Sequence, residues 1–532
     1  MDQHEGSPAA VAPPTPPPPA PDPEKCQKLS LWVQMISMAW VCFFGVFAQA
    51  PFVRIYGSVL CCEHVRGRGG CLFGGLEDES LCRHVPAVQA RLMEINAGLV
   101  FWGGFGLISA LFWVPVWRRV GVQKGLFWAR FSSVLGEVVQ AAIAFTNGRI
   151  PLGVIVWLSP LVSSLSGGGG ITFMVLTTTA AAGQTNPGSS RSNAILLLDA
   201  LLPSLAGISA NMIVGWCMAT LGPWKCLWLG LVFTILGTLL LLPQAWHSKH
   251  SSPNTQMCIC AATIDVFKSG YSLLISIFQL EGHRTLIPHN QRRLAIFVLL
   301  PSLFSNAMSF SISTLSRLFI PPRFDLSVGD ASRILGCTEI PTFVILFITT
   351  FATLLKPVPQ SVSPHLPARE SSSTDMKRDL VKVALCLLAG LIGNVLLASA
   401  TTVTMFEVGL VAVFPSVWYT CFTRSVLTTI GKAESATMDL LLLDQVLEAI
   451  GRVVFVKVID YLFRLGLEYQ WALSSPYWGV SIMCLLALGS IICALFALGD
   501  QAADEGLVES SETNNDTDPT ESSPLIVRDQ ED

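Results

Sequence analysis

Long apolar stretches alternate with short polar joints along almost the whole chain. Twelve of the stretches are long enough to cross a bilayer as helices: residues 29–53, 92–116, 125–146, 151–182, 192–217, 224–242, 294–320, 328–355, 380–400, 403–430, 440–465 and 476–498, numbered here segments 1 to 12. Roughly twenty apolar residues suffice for a hydrocarbon layer of about 30 Å at the rise of an α-helix. The most polar joint, from His247 to Arg293, lies in the middle with six segments on either side. Within it Ile264, Phe267, Tyr271 and Leu274 recur at three- or four-residue spacing, which predicts a short amphipathic helix lying on the membrane face. The pattern divides the chain into a Pro-rich tail (1–28), a six-helix bundle (29–243), a central loop (244–293), a second six-helix bundle (294–498) and an acidic tail (499–532).

Composition narrows the function classes. Charged residues are 13% of the chain and mean hydropathy is +0.56, where a soluble domain carries about 25% charged residues. An all-α polytopic membrane protein is expected. A net charge of −4, with much of the acidity in the C-terminal tail, gives no reason to expect nucleic acid as a partner. The four glycines 167–170 are not followed by Lys-Ser or Lys-Thr and lie inside segment 4, so they are read as a packing or hinge feature and not a phosphate loop. No loop carries a His/Cys/Asp cluster with catalytic spacing. The chain is therefore not expected to be an enzyme, to hold a cofactor or to bind a metal. No apolar leader core lies near Met1, so no cleavage is expected.

Basic residues gather in the joints on one side, including Arg118, Arg119, Lys124, Arg191, Lys249, Arg292, Arg293, Lys377 and Arg378, which places both termini in the cytoplasm. The joint between segments 1 and 2 breaks the trend on the other side, with Arg54, Arg66, Arg68, Arg83 and Arg91. That joint also holds Cys61, Cys62, Cys71 and Cys82. Outside the cytoplasm such a cluster forms disulfides, one or two here, and spacing leaves the pairing open.

Three stretches resemble the major facilitator superfamily of transporters, over about residues 30–500. Arg118-Arg119-Val120-Gly121 sits after segment 2, where the family has Gly-x-Leu-Ala-Asp-Arg-x-Gly-Arg-Lys. Arg119, Gly121 and Lys124 match, while Arg118 replaces the Asp and Val114 the first Gly. Gly167–Gly170 and Arg191 resemble a version found in fungal members, with Gln184 replacing an Asp. Asp379-Leu380, Arg424-Ser425-Val426-Leu427-Thr428, Gly466-Leu467, Trp471 and Ser475-Pro476-Tyr477 continue it. The whole is distantly similar to the proton-coupled folate transporter group. The resemblance implies twelve helices in two six-helix bundles and transport by alternating access. It also implies a cytoplasmic Asp–Arg latch, whose lost acids Glu137 or Asp199 would have to replace. Gly207 and Gly215, with Asn211 between, stand where antiporters of the family have Gly-Pro-Gly.

Charges are costly inside a bilayer, so each is a functional candidate. Asp199 and Glu339, deep in segments 5 and 8, are candidates for proton coupling. Arg118, Arg119, Arg191, Arg424, Asp444, Glu448 and Arg452 are gating or ion-pair candidates. The last three, spaced by four on segment 11, predict one polar stripe with a Glu448–Arg452 pair. Asn306, Ser313 and Arg317 on segment 7 are cavity candidates. Arg130 and Glu137 on segment 3 are read as a structural pair. Proton-coupled export of a small, largely apolar organic compound is the expected function, a fungal secondary metabolite or toxin. Uptake of an organic anion and a receptor that no longer transports are the alternatives. The partners expected are a small-molecule substrate, protons and the bilayer, with the chain a monomer. The plasma membrane is the expected location. The vacuolar membrane is the alternative, because Glu521, Leu525 and Ile526 fit an acidic dileucine signal.

Overall fold

The structure is a computed structural model that describes residues 23–67, 75–104, 106–184, 201–247, 289–355, 368–430, 434–469 and 473–513. Arg191, Asp199, Cys71 and the amphipathic stretch of the central loop lie outside the described residues, as do the side chains of Arg118 and Arg119. All twelve segments are helical where described. Segment 1 is Pro23–Arg66, segment 2 Pro86–Gly104 and Gly106–Val120, segment 3 Val122–Phe145, and segment 4 Gly153–Gly167 and Gly169–Gln184. Segment 5 is Leu202–Leu221, segment 6 Pro223–Leu239, segment 8 Val328–Leu355, segment 9 Ala368–Ser399, segment 11 Glu434–Glu468 and segment 12 Ser475–Thr513.

Segments 7 and 10 are built from pieces. Segment 7 runs through His289–Leu299, Ser302–Phe310, a π turn at Ser311–Leu315 and Ser316–Phe324. Segment 10 runs through Val403–Val413, a 3-10 turn at Phe414–Trp418 and Tyr419–Ile430. Segment 4 bends by 44° between its two helices. Gly168 and Gly169 there have φ of 95° and 63°, which glycine adopts without steric cost. A side chain at Gly167 would begin 2.7 Å from the Trp128 carbonyl oxygen, so the run also brings segments 3 and 4 together. Breaks at 4, 7 and 10 fall on every third segment, as expected of a fold made from three-helix repeats whose irregular helices line a central path.

Eight described helices are long and apolar enough to cross a bilayer, and the bent pair of segment 4 makes a ninth. Segments 3, 6 and 11 are helical but shorter or more polar, and the charges of segment 11 prove central below. Exposed side chains are apolar on several segments, for example Ile348, Leu385, Ile482 and Phe496. Such faces suit lipid and would drive association in water. The chain is a multi-pass membrane protein.

Within the first half, segment 1 packs on segments 5 and 6, and segment 3 on segment 4. Within the second half, segment 7 packs on 11, and segment 9 on 10 and 12. The halves meet mainly through two pairs, segment 5 with 8 and segment 2 with 11. A shift of six segments exchanges these pairs, so the interface is pseudo-twofold. Segment 5 offers segments 7 and 8 one stripe. Gly207 faces Glu339, Asn211 accepts from Arg317, and Gly215 lies against Gly329 and Arg333.

One expectation needs correction. The polar joint predicted for residues 54–91 is largely helical. Segment 1 continues to Arg66, a short helix spans Glu79–Cys82, and segment 2 already begins at Pro86. The charges are tolerated because they are paired. Arg54 bonds the Glu77 carbonyl and Glu79, Arg66 pairs with Glu77, Arg83 with Asp325, and Arg91 with Glu94. The extended helix brings Cys61 to Cys82, and a disulfide joins them. A bridge closing about twenty residues restricts the unfolded chain by about 3 kcal/mol. Cys62 is also disulfide-bonded.

Candidate functional site

Among the polar groupings of the described residues two involve segment 7, one between the halves and one within the second half. The first centres on Arg317 of segment 7, which is 1% exposed. Its Nη1 donates to Gln49 Oε1 of segment 1 at 2.7 Å, and its Nη2 to Asn211 Oδ1 of segment 5 at 2.6 Å. Both partners belong to the other half. Glu339 of segment 8 is half-buried within electrostatic reach of Arg317, and the Ser204 hydroxyl of segment 5 lies within hydrogen-bonding reach of its carboxylate. Ser204 also accepts from Trp418 Nε1 of segment 10 at 3.4 Å. Arg317, expected to line a cavity, lines one beside Arg54, Glu79 and Arg83, and it is at the same time a buried tie between the halves. The facing of segments 1, 5 and 7 decided this, and facing cannot be read from segment 7 alone.

The second grouping joins segments 7, 10 and 11. Arg424 Nε lies 3.1 Å from Asp444 Oδ2, and its Nη2 lies 3.1 Å from Glu448 Oε2. Asp444 also accepts from Ser302. Glu448 accepts from Asn306 Nδ2 at 3.0 Å and Gln445 Nε2 at 3.2 Å. Arg452 Nε donates to Asn306 Oδ1 at 3.0 Å. The expected Glu448–Arg452 pair is therefore corrected. Both acids embrace Arg424, which enters from segment 10, and Asn306 stands between Glu448 and Arg452. Removing one partner of such a buried cluster costs about 3–5 kcal/mol, because a charge is left uncompensated.

Between residues 302 and 313, only Leu303, Asn306, Ser309 and Ser313 are half-buried, and the rest are buried. The spacing of three, three and four marks one open stripe on an otherwise enclosed helix. Ser313 Oγ donates to the Ser309 carbonyl at 2.8 Å. On the first half the corresponding polar chain is uncharged: Tyr56 donates to Gln140, and Gln140 to Ser159. Arg130 and Glu137 of segment 3 lie 3.8 Å apart and occupy each other. Ser302, Gln49 and Ser204 were missed from sequence. They are common polar residues in apolar runs, and only their common neighbours distinguish them.

At the disulfide end the halves are clasped. Glu79 accepts from the Val328 amide at 2.8 Å, Arg83 pairs with Asp325 at 2.6 Å, and Arg464 lies 3.8 Å from Glu94. His84 lies 3.5 Å from Asp325. The Arg83 hydrogen bond and charge hold the Asp325 carboxyl below its ordinary value. A lowered folded-state pKa makes the clasp fully present above the ordinary carboxylate range and loses it as pH falls through the lowered value. Spin labels at Leu81 and Arg323 should keep one distance from neutral pH down to about 4. Asp325→Asn should broaden that distance at every pH. A wild-type distance that already changes near pH 6–7 would contradict this assignment.

Compared by sequence, the chain matches no family model and no curated protein. Compared by structure, it is similar to an auto inhibited POT family peptide transporter, with a TM-score of 0.55 and 12% identity over 88% of this chain and 96% of that one. It is similar to a peptide transporter POT in complex with alafosfalin, with a TM-score of 0.54 and 14% identity over 88% and 95%. It is also similar to the human organic anion transporter MFSD10, with a TM-score of 0.52 and 15% identity over 90% and 100%. The likeness establishes the fold, two six-helix bundles of the major facilitator kind.

Proposed function

We propose that this protein is a secondary transporter that moves a small organic compound by alternating access and couples the movement to protons. One observation carries the reading. Arg317 and Glu339 of the second half engage Gln49, Asn211 and Ser204 of the first, so an ionisable pair sits on the seam that must open. Opening the disulfide end requires these contacts and the Glu79, Arg83 and Arg464 clasps to part. Glu339 is the coupling group in this reading. Proton transfer to it changes the field that holds Arg317, and with it the balance between the closed and open seam.

The direction proposed, from the resemblance of segment 4 and of the stretches around segments 9 to 12 to fungal members, is export of a secondary metabolite. Uptake of an organic anion is a second reading, favoured by the guanidinium of Arg452 beside the open stripe of segment 7. Small-molecule profiles of cells and medium, with and without the gene, separate the two. Export predicts a compound that accumulates inside the deleted cells and falls outside them. Uptake predicts an external compound that is no longer consumed. Identical profiles, together with no cargo flux in liposomes, would sink the transporter reading.

A further inference from the structure

The charged cluster of the second half has a cationic edge that the protein itself does not use. Arg424 is held between Asp444 and Glu448. Arg452 commits only Nε, to Asn306. Its two Nη atoms have no acceptor among the described residues, yet they are not sealed from water. Nη1 points across to segment 2 of the other half, where a Cβ on Gly103 would lie 4.0 Å away. Gly103 puts no side chain into the space before that nitrogen, while Gly104 lets segments 2 and 11 pack closely, a Cβ there lying 2.7 Å from Val453. The half-buried hydroxyls of Ser309 and Ser313 continue along segment 7 from Asn306. A planar guanidinium with two free N–H edges matches a carboxylate, which it can hold through two parallel hydrogen bonds.

Charge counting adds a condition. Asp444 and Glu448 against Arg424 and Arg452 make the cluster neutral. A bound monoanion would leave one unbalanced negative charge in a water-poor space, which is costly. A proton arriving with it restores neutrality. The titratable and charged groups facing the cluster are Asp444 and Glu448 on segment 11, Arg424 and Tyr419 on segment 10, and Cys484 on segment 12. Segment 7 faces it with Ser302, Ser305 and Asn306, and segment 2 with Gly103 and Gly104. The second helix of segment 4 carries no charge. Lys457, five residues further along segment 11, lies 3.7 Å from Asp460 and over the Phe101 ring. Asn306 donates to Glu448 and accepts from Arg452, so Glu448 is the acid tied to Arg452 and the one whose balance an anion on Arg452 disturbs.

We propose that Arg452 binds the carboxylate of an organic monoanion and that one proton enters the cluster with it, at Glu448. The proposal deepens the second reading, uptake of an organic anion, and rests on it for the direction of movement: anion and proton travel together. Glu339 keeps the separate task of releasing the seam, so its loss uncouples net movement even where Glu448 still takes up its proton.

The test is calorimetric titration of the full chain in detergent micelles with propionate, benzoate and indole-3-acetate, each beside its amide. Repeating it in two buffers of different ionisation enthalpy counts the protons. At least one acid should bind in preference to its amide, with close to one proton taken up. Arg452→Gln should weaken that acid by about ten- to a hundred-fold, the loss expected for a charge-assisted hydrogen bond. Arg452→Lys, which keeps the charge without the fork, should fall between. Glu448→Gln should bind the acid without proton uptake. The proposal is overturned if no acid is preferred to its amide, if affinity survives both Arg452 variants, or if no proton accompanies binding. Flux of an uncharged cargo in liposomes, unaffected by the Arg452 variants, would sink this site and leave the transporter reading standing. Acid binding with no flux of any cargo would do the reverse.

Discussion

Glu339→Gln should yield a protein that exchanges its cargo but no longer concentrates it. A one-unit pH difference is worth about 1.4 kcal/mol per proton, or roughly ten-fold in cargo concentration. Without a titrating group at the seam that leverage disappears, and accumulation in liposomes should drop from about ten-fold to equality. Counterflow of labelled cargo, which needs no net proton movement, should persist. Gln keeps the size of the side chain and can still meet the Ser204 hydroxyl. It removes the negative charge facing Arg317, so the seam should also open more readily. Accumulation unchanged in the variant would remove Glu339 from the coupling role. Loss of counterflow as well would assign it to cargo binding or to the fold.

The second large effect is structural. A methyl group on Gly451 would sit 1.7 Å from the Leu303 carbonyl oxygen and 2.5 Å from its carbon. Both are backbone atoms, so segments 7 and 11 would have to move apart. Overpacking a well-filled core costs about 1–3 kcal/mol where side chains can yield, and this site should exceed that. Gly451→Ala is therefore expected to cost more than about 3 kcal/mol. The nearby Asn306 bonds to Glu448 and Arg452 should be strained or lost with it. Gly489→Ala is the control. A Cβ there meets nothing within 4 Å, and stability should hold or rise by up to about 1 kcal/mol. Thermal unfolding of the two variants in the same detergent decides the matter, and equal midpoints would contradict the packing argument.

Segment 11 shows how far a chain of letters can be read. Asp444, Glu448 and Arg452 recur every four residues, and helix geometry alone puts them on one face. That Arg424 would enter between the two acids depends on how segment 10 turns after its 3-10 break. No local pattern carries that information. Arg317 teaches the same lesson from the other side. Its place in an apolar segment marked it as important, but its partners Gln49 and Asn211 lie 268 and 106 residues away. Asp199, Arg191 and Cys71 fall outside the described residues. Their proposed roles in coupling, gating and disulfide formation rest on sequence.

By itself the sequence determined the twelve helices, their division around a polar centre, and the few ionisable groups left inside. Hydrophobic length and the cost of charge in a bilayer are properties of each segment alone, so local composition suffices to read them. Only the tertiary structure decided which charges neutralise one another, which end is clasped and which guanidinium keeps a free edge. Those outcomes depend on the rotation and breaks of several packed helices at once, and a change of one residue in facing would exchange every partner.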